Sequence, residues 1–185
     1  MINKYFLEEP NILDLSKEIF NAVVGENLKI KTRFELISKK IKDAETVNFI
    51  LADGLGYSNL QSTDSFLNKH INNVVNTTFP SSTNVALTTI AMQANPIDHG
   101  VFSYYMYDKL KYGLINALNW NSENKNLLLS EYFNNQSSIW SVFKENNIYA
   151  SNFQPKNLIN TPLSNFLYEE KSTVPYISQE DLINA

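Results

Sequence analysis

Val47-Asn48-Phe49-Ile50-Leu51-Ala52-Asp53-Gly54-Leu55-Gly56-Tyr57 is the stretch that decides how this chain is read. Val47 to Ala52 is nearly all apolar and does not alternate, the pattern of a parallel strand covered on both faces. Asp53 falls where that strand stops. In open α/β sheets ligands bind in the crevice at the carboxyl ends of strands. Gly54 and Gly56 let the backbone turn sharply and approach whatever Asp53 holds. A carboxylate placed there is a good oxygen ligand for Zn²⁺ or Mg²⁺. It equally suits the cap of the next helix.

About thirty residues on, the same layout is expected again. Residues 71–79 read as a second strand centred on Val74 and Val75, stopped by Pro80, which removes a ladder donor. Val85, Ala86, Leu87, Ile90 and Ala91 then give a helical stripe over residues 83–92. Thr83 sits at the N-cap or first turn, where backbone N–H groups and the helix dipole favour an anion. Its hydroxyl is either a plain cap or a nucleophile. A carboxylate and a hydroxyl at two strand ends suggest metal-assisted attack on phosphorus.

The wider pass predicts a helix over 12–23 with Asn11 as N-cap and Gly25 as its stop, and a short helix over 33–41. Strand 46–52, helix 57–69, strand 71–79 and helix 83–92 follow as β-α-β-α, which argues for a parallel sheet with right-handed crossovers. Phe102 to Tyr107 reads as an aromatic strand at a sheet edge or over the core, with a base-stacking wall as the minor option. Residues 134–138 read as a polar loop. Helix 138–146 leads into strand 147–153. No internal repeat or linker is visible, and residues 1–185 read as a single domain.

Four pieces in order carry a resemblance: Ala52-Asp53-Gly54-Leu55-Gly56, Phe79-Pro80-Ser81-Ser82-Thr83, Leu87-Thr88-Thr89-Ile90 and Pro96-Ile97-Asp98-His99-Gly100-Val101. Together with Leu114 to Trp120, and with Ile139 to Phe143 running into Ile148 to Ser151, they resemble the type I phosphodiesterase and nucleotide pyrophosphatase branch of the alkaline phosphatase superfamily. The resemblance covers most of the chain from about residue 12. It implies a three-layer α/β sandwich with a mostly parallel sheet, alkaline phosphatase-like, of which this chain is an incomplete, N-terminal part. It implies a metal-dependent hydrolase of phosphodiester, pyrophosphate or phosphomonoester bonds working through a covalent threonine intermediate. Asp53 matches the first metal-binding aspartate. Thr83 matches the nucleophile, which also touches a metal. Asn84 matches a position that helps hold a phosphoryl oxygen. His99 matches a structural His-Gly turn and not a metal ligand. The implied cofactors are two divalent ions, zinc first, with magnesium or manganese as alternatives. One departure is Met92-Gln93, where relatives carry Thr-Gly.

The other departure is in ligands. The chain has two histidines, His70 and His99, and no Asp-x-x-x-His or Asp-His pair after residue 120. Asp53 and Thr83 alone would hold zinc weakly, since catalytic zinc sites use about three protein ligands. The chain ends in a starting helix capped by Ser178, so the expectation is a silent fragment of a longer enzyme. The alternative is an inactive remnant or binding domain with the same fold.

Composition sets the bounds. With 43% hydrophobic and 12% aromatic residues in 185, the chain can build a domain core. A net charge of −4 implies no general attraction to nucleic-acid polymers or anionic membranes. The absence of cysteine removes disulfides, thiol catalysis and cysteine-ligated zinc. The first ten residues lack an apolar run of signal-peptide length, so a cytoplasmic location is expected, with a small phosphate ester or nucleotide as substrate.

Overall fold

The computed structural model describes residues 9–25, 32–124, 128–133, 136, 138–168 and 172–184. The chain divides into two compact units, residues 1–77 and 78–185. The loop expected at 134–138 lies largely outside the described residues.

The first unit is built on α1 (Ile12–Val24). Asn11 caps it, its Oδ1 accepting from the N–H groups of Leu13 and Asp14 at 2.9 and 3.2 Å. Asp14 Oδ2 accepts from Asn11 N–H in return, which completes a capping box. Gly25 ends the helix at φ 75°, a conformation that suits glycine. Leu13, Ile19, Phe20 and Val24 form the buried stripe. Three polar residues are buried beside them and each finds a partner. Asp14 takes a two-pronged ion pair from Arg33. Ser16 donates to the Leu13 carbonyl. Glu18 accepts from three consecutive backbone N–H groups, those of Leu36, Ile37 and Ser38, at 2.8 to 3.0 Å. These bonds fix the entry of α2 (Ser38–Ile41).

The β-α-β-α sheet expected across 46–79 is not what these residues form. Residues 46–52 run without a ladder partner, and Phe49, Ile50 and Leu51 are exposed. Residues 71–79 contribute a single parallel bridge, Asn76 with Asn11. An apolar run supplies only one side of a strand pair, and here no neighbour among the described residues supplies the other. Helix 57–69 is split into α3 (Tyr57–Gln61) and α4 (Phe66–Lys69). Local bonding explains the break. Ser62 and Thr63 donate back to the Asn59 and Leu60 carbonyls, and Ser65 caps α4 by accepting from Asn68 N–H.

The second unit holds α5 (Thr83–Met92), α6 (Pro96–His99), β1 (Tyr105–Asp108), β2 (Gly113–Asn116), β3 (Asn121–Ser122), α7 (Leu129–Tyr132), α8 (Ile139–Glu145), β4 (Asn152–Pro155), α9 (Pro162–Leu167), β5 (Thr173–Tyr176) and α10 (Gln179–Asn184). β1, β2 and β3 form an antiparallel sheet in that order, with Tyr105 opposite Asn116 and Ile115 opposite Ser122. β4 and β5 pair in parallel, Asn152 with Thr173. The fold is thus a mixed helix-and-strand one with small sheets, consistent with an α/β class. Its core gathers Val85, Ala91 and Met92 of α5 with Val101, Ala117, Trp120, Phe133, Leu163 and Leu167. Trp120 meets Tyr132 edge-on at 5.2 Å, and Phe133 stacks on Phe166 at 4.4 Å. Burying α5 in this core anchors its first turn.

Candidate active site

α5 begins after a cis Phe79–Pro80 bond. Its N-cap is Ser82, in extended backbone at φ −147° and ψ 156°. Thr83 is therefore the first helical residue and not the cap. The Ser82 side chain does not cap the helix either, because its Oγ donates to Asn84 Oδ1 at 2.9 Å. The first intrahelical bond runs from Ala86 N–H to the Ser82 carbonyl at 2.9 Å. The N–H groups of Thr83, Asn84 and Val85 thus lie in the turn where an α-helix has no internal acceptors to offer. Such an end, with its dipole, favours a phosphate-like group.

Thr83 is half-buried at this end, and its Oγ1 accepts from the Tyr104 hydroxyl at 3.3 Å. Asn84 is fully buried. Its Oδ1 takes the Ser82 hydroxyl, and its Nδ2 donates to the Ser103 carbonyl at 2.9 Å. The Asn84 side chain therefore ties the helix start to the segment that carries Tyr104. Thr83 and Asn84 stand together as the sequence implied. Tyr104 joins them as a residue that sequence reasoning placed only in an aromatic strand. No local pattern links positions 83 and 104; the pairing depends on the path of the chain through α6 and into β1.

His99 lies at the other end of this substructure and is buried. Its Nδ1 accepts from Val101 N–H at 3.1 Å, so the neutral ring carries its proton on Nε2 and donates to Thr89 Oγ1 at 2.9 Å. Burial lowers its pKa to about 4, against the opposing pull of the Asp98 carboxylate. Gly100 follows at φ 77°, closing α6. Both ring nitrogens are committed to the fold. His70 is exposed and stacks on Phe66 at 4.0 Å.

Asp53 belongs to the first unit and is exposed, in a turn with Gly54 at φ 72°. It does not cap the next helix. Gly56 is the N-cap of α3, and Asn59 Oδ1 accepts from Gly56 N–H. Thr83 and Asp53 thus lie in different units, each described within its own. Among the described residues no group of three or more histidine, aspartate or glutamate side chains is placed to share a metal ion. The described residues therefore do not supply a complete two-metal ligand set on their own. No described helix is long and apolar enough to cross a membrane.

Residues 47–184 of the chain match the family described as type I phosphodiesterase / nucleotide pyrophosphatase. No curated protein and no solved structure matches the chain.

Proposed function

Because the chain belongs to the type I phosphodiesterase / nucleotide pyrophosphatase family, we propose that it serves a hydrolase of phosphodiester, pyrophosphate or phosphomonoester bonds, with Thr83 as the nucleophile. The observation that carries this reading is the Thr83 hydroxyl on the first residue of a ten-residue helix whose cap side chain is turned away onto Asn84. In the proposed reaction Thr83 Oγ attacks phosphorus in line. The Oγ–P bond forms as the bond to the leaving oxygen breaks, and the leaving group departs with that electron pair. Water then cleaves the Oγ–P ester and restores the hydroxyl. The phosphoryl oxygens are held by N–H groups of the first turn, including that of Asn84, which binds substrate through its backbone while its side chain holds Ser103.

Asp53, in the first unit, and Thr83, in the second, are each proposed as an oxygen donor to a divalent ion, zinc first, with magnesium or manganese as alternatives. The three-layer, mostly parallel sandwich belongs to the same proposal, as do a small phosphate-ester substrate and a cytoplasmic location. A second reading, an inactive remnant or binding domain, is favoured by the lack of a ligand cluster among the described residues.

Hydrolysis of a chromogenic phosphodiester with added zinc, magnesium or manganese separates the readings. Metal-dependent turnover by the chain that Thr83→Ala lowers by about a thousandfold or more supports the nucleophile, since loss of a catalytic nucleophile costs many powers of ten. A variant that keeps more than roughly a tenth of the activity refutes it. A chain that is silent with every metal, and whose binding of orthovanadate is unchanged in Thr83→Ala, favours the second reading.

A further inference from the structure

The segment facing the start of α5 is pinned at two consecutive residues. The Ser103 carbonyl accepts from Asn84 Nδ2 at 2.9 Å, and the Tyr104 carbonyl accepts from Ala117 N–H at 2.7 Å. Asn84 and Ala117 are both completely buried. Tyr104 thus leaves a fixed piece of backbone, and its phenol reaches Thr83 Oγ1 at 3.3 Å. The ring is 41% exposed. A neutral hydrogen bond at such a rim adds little to stability, because water competes for both partners. Its effect falls on the threonine. In a helix a threonine divides its χ1 between two rotamers, and a donor on one side selects the one that faces it.

We propose that Tyr104 is a second functional hydroxyl of this site, holding Thr83 Oγ1 in place and donating a hydrogen bond to the negative charge that develops on that oxygen. The proposal rests on the reading of Thr83 as nucleophile. The Thr83 proton leaves to solvent and Tyr104 keeps its own, so the phenol stabilises without transferring a proton. Once the Oγ–P bond forms, the charge on Oγ is spent and the phenol is released to a phosphoryl oxygen. A hydrogen bond to an ionised oxygen is shorter and about twice as strong as a neutral one. The 3.3 Å contact therefore tightens as Thr83 loses its proton.

Orthovanadate, which forms an ester with a hydroxyl nucleophile and mimics five-coordinate phosphorus, tests this by calorimetry with zinc added. The chain is compared with Thr83→Ala, Tyr104→Phe and Tyr104→Leu, each first checked for unchanged circular dichroism and thermal unfolding. The expected result is that Thr83→Ala abolishes vanadate binding and that Tyr104→Phe and Tyr104→Leu weaken it alike, by about tenfold or more, as loss of a charge-assisted bond requires. If Tyr104→Phe binds as tightly as the unaltered chain while Tyr104→Leu does not, the ring acts by packing alone and the proposal falls, with Thr83 untouched. If Thr83→Ala binds vanadate normally, or the unaltered chain does not bind it, the nucleophile reading itself fails and Tyr104 falls with it.

Discussion

Acid should destabilise the second unit through His99 well before its carboxylates are protonated. The ring is 3% exposed, with Nδ1 accepting from Val101 N–H and Nε2–H donating to Thr89. Protonation would set an Nδ1–H against the Val101 N–H in a place water does not reach. Burial accordingly holds the folded pKa at about 4, against 6.5 for a free histidine, with Asp98 pulling in the opposite direction. The sign follows from proton counts. Between pH 6.5 and 4 the unfolded chain carries a proton on this ring that the folded chain does not. Stability is therefore complete above 6.5 and falls as the pH drops toward 4. A gap of that size corresponds to roughly 3 kcal/mol lost between pH 7.5 and pH 4, a large part of the ~5–15 kcal/mol that holds a domain together. The assay is urea unfolding across this range, followed by the fluorescence of Trp120, which lies in the same core. His99→Asn supplies the reference, since it can keep polar contacts but does not titrate. Every other titrating group contributes to both proteins, so the difference between their pH curves isolates His99. Expected is a difference that grows by about 3 kcal/mol from pH 7.5 to 4. Parallel curves would show that His99 is not held neutral, and the tautomer assigned from Val101 would be wrong.

What was legible in the sequence is what is decided locally. α1 was readable because Asn11, the apolar stripe and Gly25 each act within one or two turns, and cap, helix and stop all fall as expected. The start of α5 was readable for the same reason, and with it the places of Thr83 and Asn84. Its end needed no glycine. Gln93 adopts the left-handed conformation at φ 52° in the position where the resemblance leads one to expect Gly, and the helix stops after Met92 regardless. Strands were harder, because a strand exists only through its partner. Val47 to Ala52 has the right composition and no ladder among the described residues. β4 and β5 have poor strand composition, with Pro155 and Pro175 inside them, and pair all the same. Proline is tolerated there because, among the described residues, each strand has a neighbour on one side only. The polar side chains in 62–65 broke an expected helix by bonding to nearby carbonyls, a competition that apolar periodicity does not register. Tyr104 was invisible as a site residue because nothing between positions 83 and 104 encodes their approach. The contact is made by the Asn84–Ser103 bond and by the pairing of β1 with β2.

Two further substitutions test how buried polar groups hold these units. Glu18→Gln should speed hydrogen exchange at the Leu36, Ile37 and Ser38 amides and cost about 1–3 kcal/mol, because these three N–H donors would find one acceptor oxygen on a carboxamide in place of the two on the carboxylate. Burial raises the Glu18 pKa, but the bonds from Ser38, Leu36 and Ile37 outweigh it and hold the pKa below 4.5; this contribution is therefore present above pH 4.5 and lost as the pH falls through the lowered folded value, and exchange rates that do not change would refute the clamp. Asn84→Ala separates two roles for a residue whose side chain could touch substrate or hold the fold. If the side chain served substrate alone, its loss would weaken phosphate or vanadate binding and leave unfolding in plain buffer unchanged. The geometry points the other way. The substitution strips the Ser82 hydroxyl and the Ser103 carbonyl of a buried partner and leaves a small cavity at a fully enclosed position, which together should cost about 2–4 kcal/mol without any ligand present. It should also free the segment bearing Tyr104, so that Tyr104→Phe added to Asn84→Ala weakens vanadate binding less than Tyr104→Phe does alone. Additive effects on binding, with unfolding unchanged, would mean that Asn84 meets the substrate directly and that the helix start and the Tyr104 segment are held together by something else.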